Sequence, residues 1–219
     1  MASMRITIEN AGKRFNFEWI LRNIDLTFHS NKSYAILGPN GSGKSTLLQL
    51  IAGNISPSAG TIEYFLEEKK IEEENIFRYI TLAAPYLELI EDFTASEIIS
   101  FQQNFKPFLK EVPISDVLKI ARLEKDSAKP VKDFSSGMKQ RLKVSLAMLA
   151  DVQAILLDEP TTNLDQDGFE WYLDLMKNYS LGRLVIICSN LQREYQFCDN
   201  ILDVMRFKSS AKEISKAVH

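Results

Sequence analysis

Histidine is scarce in this chain: its 219 residues contain two, His29 and His219, the second at the last position. A multi-histidine metal site is excluded, and imidazole acid-base catalysis has little room. The two cysteines, Cys188 and Cys198, are too few for a zinc pattern or a disulfide framework. They read as buried or half-buried residues of a chain kept in a reducing, intracellular compartment. No apolar run approaches the ~20 residues needed to cross a bilayer. Arg5, Thr7 and Glu9 interrupt the first ten residues, where a secretory signal needs an apolar core. Charge of neither sign dominates: 26 Lys and Arg face 29 Asp and Glu, a net of −3, so no basic field steers the chain to nucleic acid and none is expected as a partner. Glycine is thin as well, nine residues where the usual share is ~7%. A cluster of glycines therefore marks backbone that must turn tightly or approach a ligand.

With 45% hydrophobic and 25% charged residues, the chain has the balance of a globular protein large enough for one α/β domain with a lobe. Short strands are predicted at 5–8, 26–28, 33–37 and 61–65, the last following the turn Pro57-Ser58-Ala59-Gly60. Between the third and fourth, Leu47, Leu48 and Ile51 recur at helical spacing over 44–52, with Gly53 as a stop. The charged run 67–74 reads as a solvated loop or helix face. From 94 to 128 the pattern is helical, with Ile114, Val117, Leu118 and Ala121 on one face and breaks at Pro107 and Pro113, which predicts a helical lobe. Then come a helix at 138–149, a buried strand at 154–157, a helix at 168–179, a buried strand at 184–188 and a last strand at 201–205. Apolar strands alternating with helices predict an α/β fold with a mostly parallel sheet covered on both faces.

Gly38-Pro39-Asn40-Gly41-Ser42-Gly43-Lys44-Ser45-Thr46 matches the phosphate-binding pattern G-x-x-x-x-G-K-[ST]. It lies between a predicted strand and a predicted helix, where backbone N–H groups and the helix dipole converge on an anion. Lys44 would reach the β- and γ-phosphates and Ser45 would ligate Mg²⁺. A chance match arises in roughly one chain in a hundred of this length, and the strand-loop-helix context lowers that further. Ala154-Ile155-Leu156-Leu157-Asp158-Glu159 is a buried strand that delivers two carboxylates at its C-terminal end, where ligands bind in open α/β sheets. Asp158 can hold Mg²⁺ through water, and Glu159 can take a proton from a water attacking the γ-phosphate. Phe134-Ser135-Ser136-Gly137-Met138 opens another helix; it is an ordinary N-cap or a second phosphate cradle.

These three stretches, with Asn163-Leu164-Asp165, resemble the nucleotide-binding domain of ABC ATPases, and the resemblance runs from Arg5 to about Met205. Residues 134–138 are similar to that family's Leu-Ser-Gly-Gly-Gln signature. The resemblance implies a P-loop NTPase core with an N-terminal antiparallel β subdomain and an inserted helical lobe. Core and subdomain would take 5–84 and 150–206, the lobe 85–149, and a basic tail 207–219. It also implies ATP and Mg²⁺ as ligands. ATP would be sandwiched between the phosphate loop of one chain and Ser135, Ser136 and Gly137 of another, with Asp165 touching the partner across the interface. The partner ATPase is a second copy or a homologous chain. Phe15, 29 residues before Lys44, matches the family's adenine-stacking aromatic, with Phe17 and Trp19 as nearby competitors.

Two family positions are not filled in the usual way. A glutamine that contacts Mg²⁺ and water falls at Pro85, or at Ala84 with a one-residue slip. A switch histidine after the strand 184–188 is replaced by Asn190, which can donate a hydrogen bond to phosphate but cannot become a cation. The expectation is ordinary ATP binding with slow or partner-dependent hydrolysis. The leading functional expectation is the motor of an ABC membrane transporter. It would lie in the cytoplasm, peripheral on the inner membrane face through a separate transmembrane subunit docked near 85–93. Signature forms like this one are similar to those of export subunits. The alternatives are a soluble ABC ATPase in cofactor assembly or repair, and a slow nucleotide switch.

Overall fold

The computed structural model describes residues 2–208. The basic tail expected over 207–219 lies outside the described residues from 209 onward. A five-stranded parallel sheet forms the centre, built from β3 (Ser33–Leu37), β6 (Ile80–Ala83), β7 (Ala154–Asp158), β8 (Leu184–Cys188) and β9 (Asn200–Asp203). Their spatial order is β6-β7-β8-β3-β9, and every pairing is parallel. β7 and β8 are buried at all positions, as unbroken apolar strands covered on both faces must be.

Alternate residues of these strands feed opposite cores, because side chains on a strand point to opposite faces. Ile155, Leu157, Val185 and Ile187 pack with the lobe and with α4 (Ser136–Leu149) and α5 (Gln166–Tyr179). Ala154, Leu156, Leu184 and Ile186 pack instead with α1 (Lys44–Ile51) and the N-terminal sheet. That second sheet is antiparallel, in the order β2-β1-β4-β5, from β1 (Met4–Phe15), β2 (Glu18–His29), β4 (Ala59–Leu66) and β5 (Lys69–Lys70). The lobe carries α2 (Ala95–Phe105) and α3 (Ile114–Ile120). α2 opens with a reciprocal cap, the Thr94 hydroxyl accepting from the Glu97 N–H while the Glu97 carboxylate accepts from the Thr94 N–H.

Several elements differ from the sequence expectation. The strands expected at 5–8 and 26–28 are ends of one twelve-residue hairpin pair, β1 and β2. Register shifts between Ile8 and Arg14, with Asn10 and Asn23 at positive φ, interrupt the alternation that marks a strand in sequence. The run 67–74 is neither a simple loop nor a helix face, since Lys69 and Lys70 pair with β4 and a 3-10 turn begins at Glu73. The last strand stops at Asp203, and Val204–Phe207 coils into a 3-10 turn that buries Val204 and Phe207.

Candidate functional site

The site lies beyond the C-terminal ends of β3, β7 and β8, the crevice where open parallel sheets bind ligands. β3 runs directly into the glycine loop. Gly38 has φ 152° and a Cβ there would meet Ser42 Oγ and Val204 Cγ1 at 2.7 Å, so the loop cannot close with a larger residue. Gly43, φ 102°, precedes α1 with Leu21 3.0 Å from where a Cβ would stand. The first-turn amides of α1 have no intrahelical acceptors and face the loop's interior. Lys44 is buried, and its ammonium donates to the carbonyls of Gly38 at 2.7 Å and Pro39 at 3.3 Å. Ser42 Oγ is buried with no hydrogen-bond partner among the described residues. A cleft of about 390 Å³ opens here, lined by Phe15, Ile20, residues 40–46 and Glu159.

The Ser45 side chain, at the start of α1, lies beside the Asp158 carboxylate at the end of β7. Burial raises the Asp158 carboxyl above its ordinary value; Ser45 and Lys44 oppose this, while Glu159 and Glu194 add to it. A desolvated carboxylate, a hydroxyl beside it and an orphaned serine oxygen make an oxygen donor set that fits a hard divalent cation with a phosphate. Glu159 follows at φ 46°, a left-handed conformation costly for a non-glycine residue, held by its N–H bond to the Cys188 carbonyl at 2.8 Å. This turn puts Glu159 on the wall of the phosphate cleft, and the Thr162 hydroxyl donates to its Oε2 at 3.3 Å. Asn190, just past β8, donates from Nδ2 to Asn40 Oδ1 at 3.1 Å and so overhangs the loop.

Phe15 ends β1 at the cleft, half exposed, with the Lys13 ammonium 5.3 Å from its ring centroid. Phe17, at the hairpin tip, is 97% exposed, and Trp19 packs between Arg14 and Arg22. Only Phe15 of the three lines the cleft.

Ser135, Ser136 and Gly137 are not brought to this cleft. Ser135 caps α4 by accepting from the Met138 N–H at 3.2 Å, and Ser136 lines a separate hollow with Pro85, Glu91 and Asn163. Asp165 caps α5, its carboxylate accepting from the Gly168 N–H at 2.8 Å, and sits exposed six residues past Glu159. One chain therefore presents the phosphate loop and the signature stretch at different places.

At the expected glutamine position Ala84 is buried and Pro85 is exposed, and neither offers a polar side chain. The next residue, Tyr86, does, and its hydroxyl lies near the Gln49 side chain. Burial pushes that hydroxyl up to about 12, with the nearby Asp158 adding to the rise. Three further polar groups around the site escaped the sequence reading. Gln140, buried on α4, donates to the Pro160 carbonyl at 2.8 Å. Lys143 donates to the Ala84 carbonyl at 3.0 Å, and burial lowers its ammonium below the usual lysine range. Glu194, on the short helix α6 (Gln192–Tyr195), is fully buried and accepts from Thr161. Their only sequence signal is a polar residue inside an apolar helix face, or none at all.

Comparison with known proteins gives this geometry its family. The ABC transporter family model matches residues 21–162. An uncharacterised ABC transporter ATP-binding protein of Bacillus subtilis, YxlF, is 31% identical over 201 residues, covering 90% of this chain and 66% of the relative. The Nod factor export ATP-binding protein I of Rhizobium johnstonii is 27% identical, covering 92% of this chain and 66% of the relative. The chain thus spans just under two thirds of these relatives' length. In fold it is similar to the ATP-binding cassette MJ0796, solved as a dimer in a post-hydrolysis state with ADP and Pi, with TM-score 0.78, 24% identity, and 90% and 93% of the two chains covered. With phosphate loop, carboxylate strand and signature stretch all inside one architecture, and the family model matching well over half its length, this chain belongs to the ABC transporter family.

Proposed function

We propose that this chain binds ATP with Mg²⁺ and hydrolyses it to ADP and phosphate as the motor subunit of an ABC membrane transporter. The observation that carries the reading is one cleft lined by Lys44, Ser45 and Glu159, with the buried Asp158 carboxylate beside Ser45 as an oxygen donor pair of the kind a metal takes. Lys44 would exchange its bonds to the Gly38 and Pro39 carbonyls for bonds to the β- and γ-phosphates. Loop residues 40–46 supply N–H donors, and Phe15 offers a face for adenine. Ser45 and Asp158 would hold Mg²⁺, which would supply neutralisation of the phosphate charge. Glu159 takes a proton from a water whose oxygen attacks the γ-phosphorus. The bond to the β-phosphate oxygen breaks, and ADP leaves. Asn190 donates an amide hydrogen bond to the γ-phosphate.

The separation of Ser135, Ser136 and Gly137 from the cleft supports a dimer in which each ATP lies between the phosphate loop of one chain and the signature of its partner. The partner is a second copy or a homologous ATPase chain. The transmembrane part is then a separate subunit; among the described residues no helix is long and apolar enough to cross a membrane. The chain then works in the cytoplasm, peripheral on the inner face of the membrane. The name of the Rhizobium relative supports export over uptake. A second reading, a slow-turnover nucleotide switch or a soluble ATPase of cofactor assembly, draws on Pro85 and Asn190 standing at family positions for glutamine and histidine.

Two measurements test the proposal. Purified chain is expected to release phosphate from Mg-ATP at a rate abolished by Glu159→Gln. Capture from native membranes is expected to recover a multi-span protein with it. No Glu159-dependent hydrolysis with or without membrane extract supports the switch instead, and recovery of soluble partners alone overturns the transporter role.

A further inference from the structure

Glu194 is a buried carboxyl that the proposed chemistry does not use. It lies four residues after Asn190, on α6, and is 1% exposed. Its Oε1 accepts from the Thr161 N–H at 3.0 Å and from the Thr161 hydroxyl. Its Oε2 has no partner among the described residues. Thr161 lies two residues after Glu159. Its carbonyl accepts from the Leu164 N–H at 3.0 Å and so shapes the turn that leads to Asp165. The main chain of Glu194 is anchored as well, its carbonyl accepting from the buried Tyr172 hydroxyl on α5 at 3.1 Å.

Burying a carboxyl with half its lone pairs unmet is costly, and for packing alone an apolar residue would serve better. The contact spans 33 residues and joins two loops that leave neighbouring strands, β7 and β8. One loop carries Glu159, the other Asn190. Among the described residues the one other hydrogen bond between them is the Glu159 N–H to Cys188 carbonyl bond at the strand ends.

We propose that Glu194 is a positioning residue. Its bonds to Thr161 fix the spacing between the loop carrying Asn190 and the loop carrying Glu159, so that the phosphate-facing amide and the water-facing carboxylate move as a unit. The inference rests on the proposed ATP hydrolysis for its catalytic consequence, while the mechanical link between the loops stands apart from it. A Gln at 194 keeps the oxygen that accepts both Thr161 bonds and replaces the acid by an amide of the same shape, so it preserves the link. An Ala removes both bonds.

Two arms test this in the full chain. In steady-state hydrolysis of Mg-ATP, Glu194→Ala is expected to lower kcat about ten- to a hundredfold, the scale for a misplaced reacting group, with KM within about twofold. Glu194→Gln is expected to restore kcat to within about threefold of the parent, and the double variant Glu194→Ala with Thr161→Val to fall no lower than the worse single, as residues acting through one contact do. In amide exchange read by mass spectrometry, Glu194→Ala is expected to speed exchange over 159–165, and Thr161→Val over 189–195, each in the loop that was not mutated. The idea is overturned if Glu194→Ala leaves kcat unchanged or acts through KM alone. It is also overturned if Glu194→Gln is as impaired as Ala, or if faster exchange stays in the mutated loop. Should Glu194→Ala not fold, Thr161→Val and Glu194→Gln carry both arms. A parent chain without hydrolysis refutes the proposed function and leaves the exchange arm to decide the link.

Discussion

Replacing Asn190 by alanine tests how this chain manages the γ-phosphate without histidine in the site. The Asn190 amide now donates to Asn40 Oδ1 at 3.1 Å, a neutral bond worth ~0.5–1.5 kcal/mol net. When ATP enters, that amide turns to a phosphate oxygen, and a hydrogen bond to a charged group is worth ~1.5–3 kcal/mol. The difference that the side chain contributes to the transition state is then about 1–2 kcal/mol, or roughly five- to thirtyfold in kcat/KM. A phosphate-release assay on the parent and on Asn190→Ala measures it directly. The pH profile supplies an independent check. No histidine other than His29 and His219 exists, so the parent kcat is expected to be flat from pH 6 to 8. Asn190→His is expected to introduce an inflection near the ordinary histidine value of about 6.5. A change of less than twofold in Asn190→Ala, or an inflection near 6.5 in the parent, refutes the reasoning.

Four other substitutions probe the site and the packing around it. Asp158 has its carboxyl raised by burial, so its contribution to stability is fully present below the unfolded value of 3.8 and is lost as pH rises through the folded value. Asp158→Asn is therefore expected to melt higher than the parent at pH 7 without nucleotide, by roughly 0.5–2 kcal/mol, and to lose the stabilisation that Mg-ATP gives the parent. The advantage should vanish in acid. Phe15→Ala is expected to raise KM for ATP with little change in kcat, since base stacking on an aromatic is worth ~1–3 kcal/mol. Phe17→Ala at the exposed hairpin tip should leave KM alone, and the opposite pattern would reassign the aromatic. Arg183 closes the C-terminal end of α4 by donating to the carbonyls of Met148 at 2.7 Å and Ala150 at 3.0 Å, and burial pushes its guanidinium down to about 10. Arg183→Met takes the guanidinium donor from the Met148 carbonyl, while the Ala150 carbonyl keeps the Val152 N–H at 3.0 Å, and should cost about 1–3 kcal/mol in urea unfolding.

Much of the site is legible in the sequence because chemistry imposes its spacing. A loop that wraps phosphate needs glycine where φ is positive, and Gly38, Gly41 and Gly43 stand there. A strand buried on both faces must read as an apolar run, which made β7 and its terminal Asp158 and Glu159 visible. The hairpin of β1 and β2 was mostly hidden because its shifts of register break the alternation between Ile8 and Arg14. Glu194, Gln140 and Arg183 were hidden for a different reason. Each is buried by contacts 19 to 35 residues away, and no local period encodes such a partner. Tyr86 stands one residue past the position where the family places a carboxamide, and no local pattern marks its hydroxyl as lying near Gln49, 37 residues earlier in the chain.

The central claim is that the ATP site is completed by a second chain, and the mass of the Glu159→Gln variant tests it most directly. Light scattering behind a sizing column should give a monomer of 25.0 kDa without nucleotide and twice that mass with Mg-ATP, which the variant binds but does not hydrolyse. The dimer should be lost when Ser136 is replaced by a bulky residue at the signature stretch. A variant that binds Mg-ATP and stays at 25.0 kDa contradicts the account of a site shared between two copies of this chain.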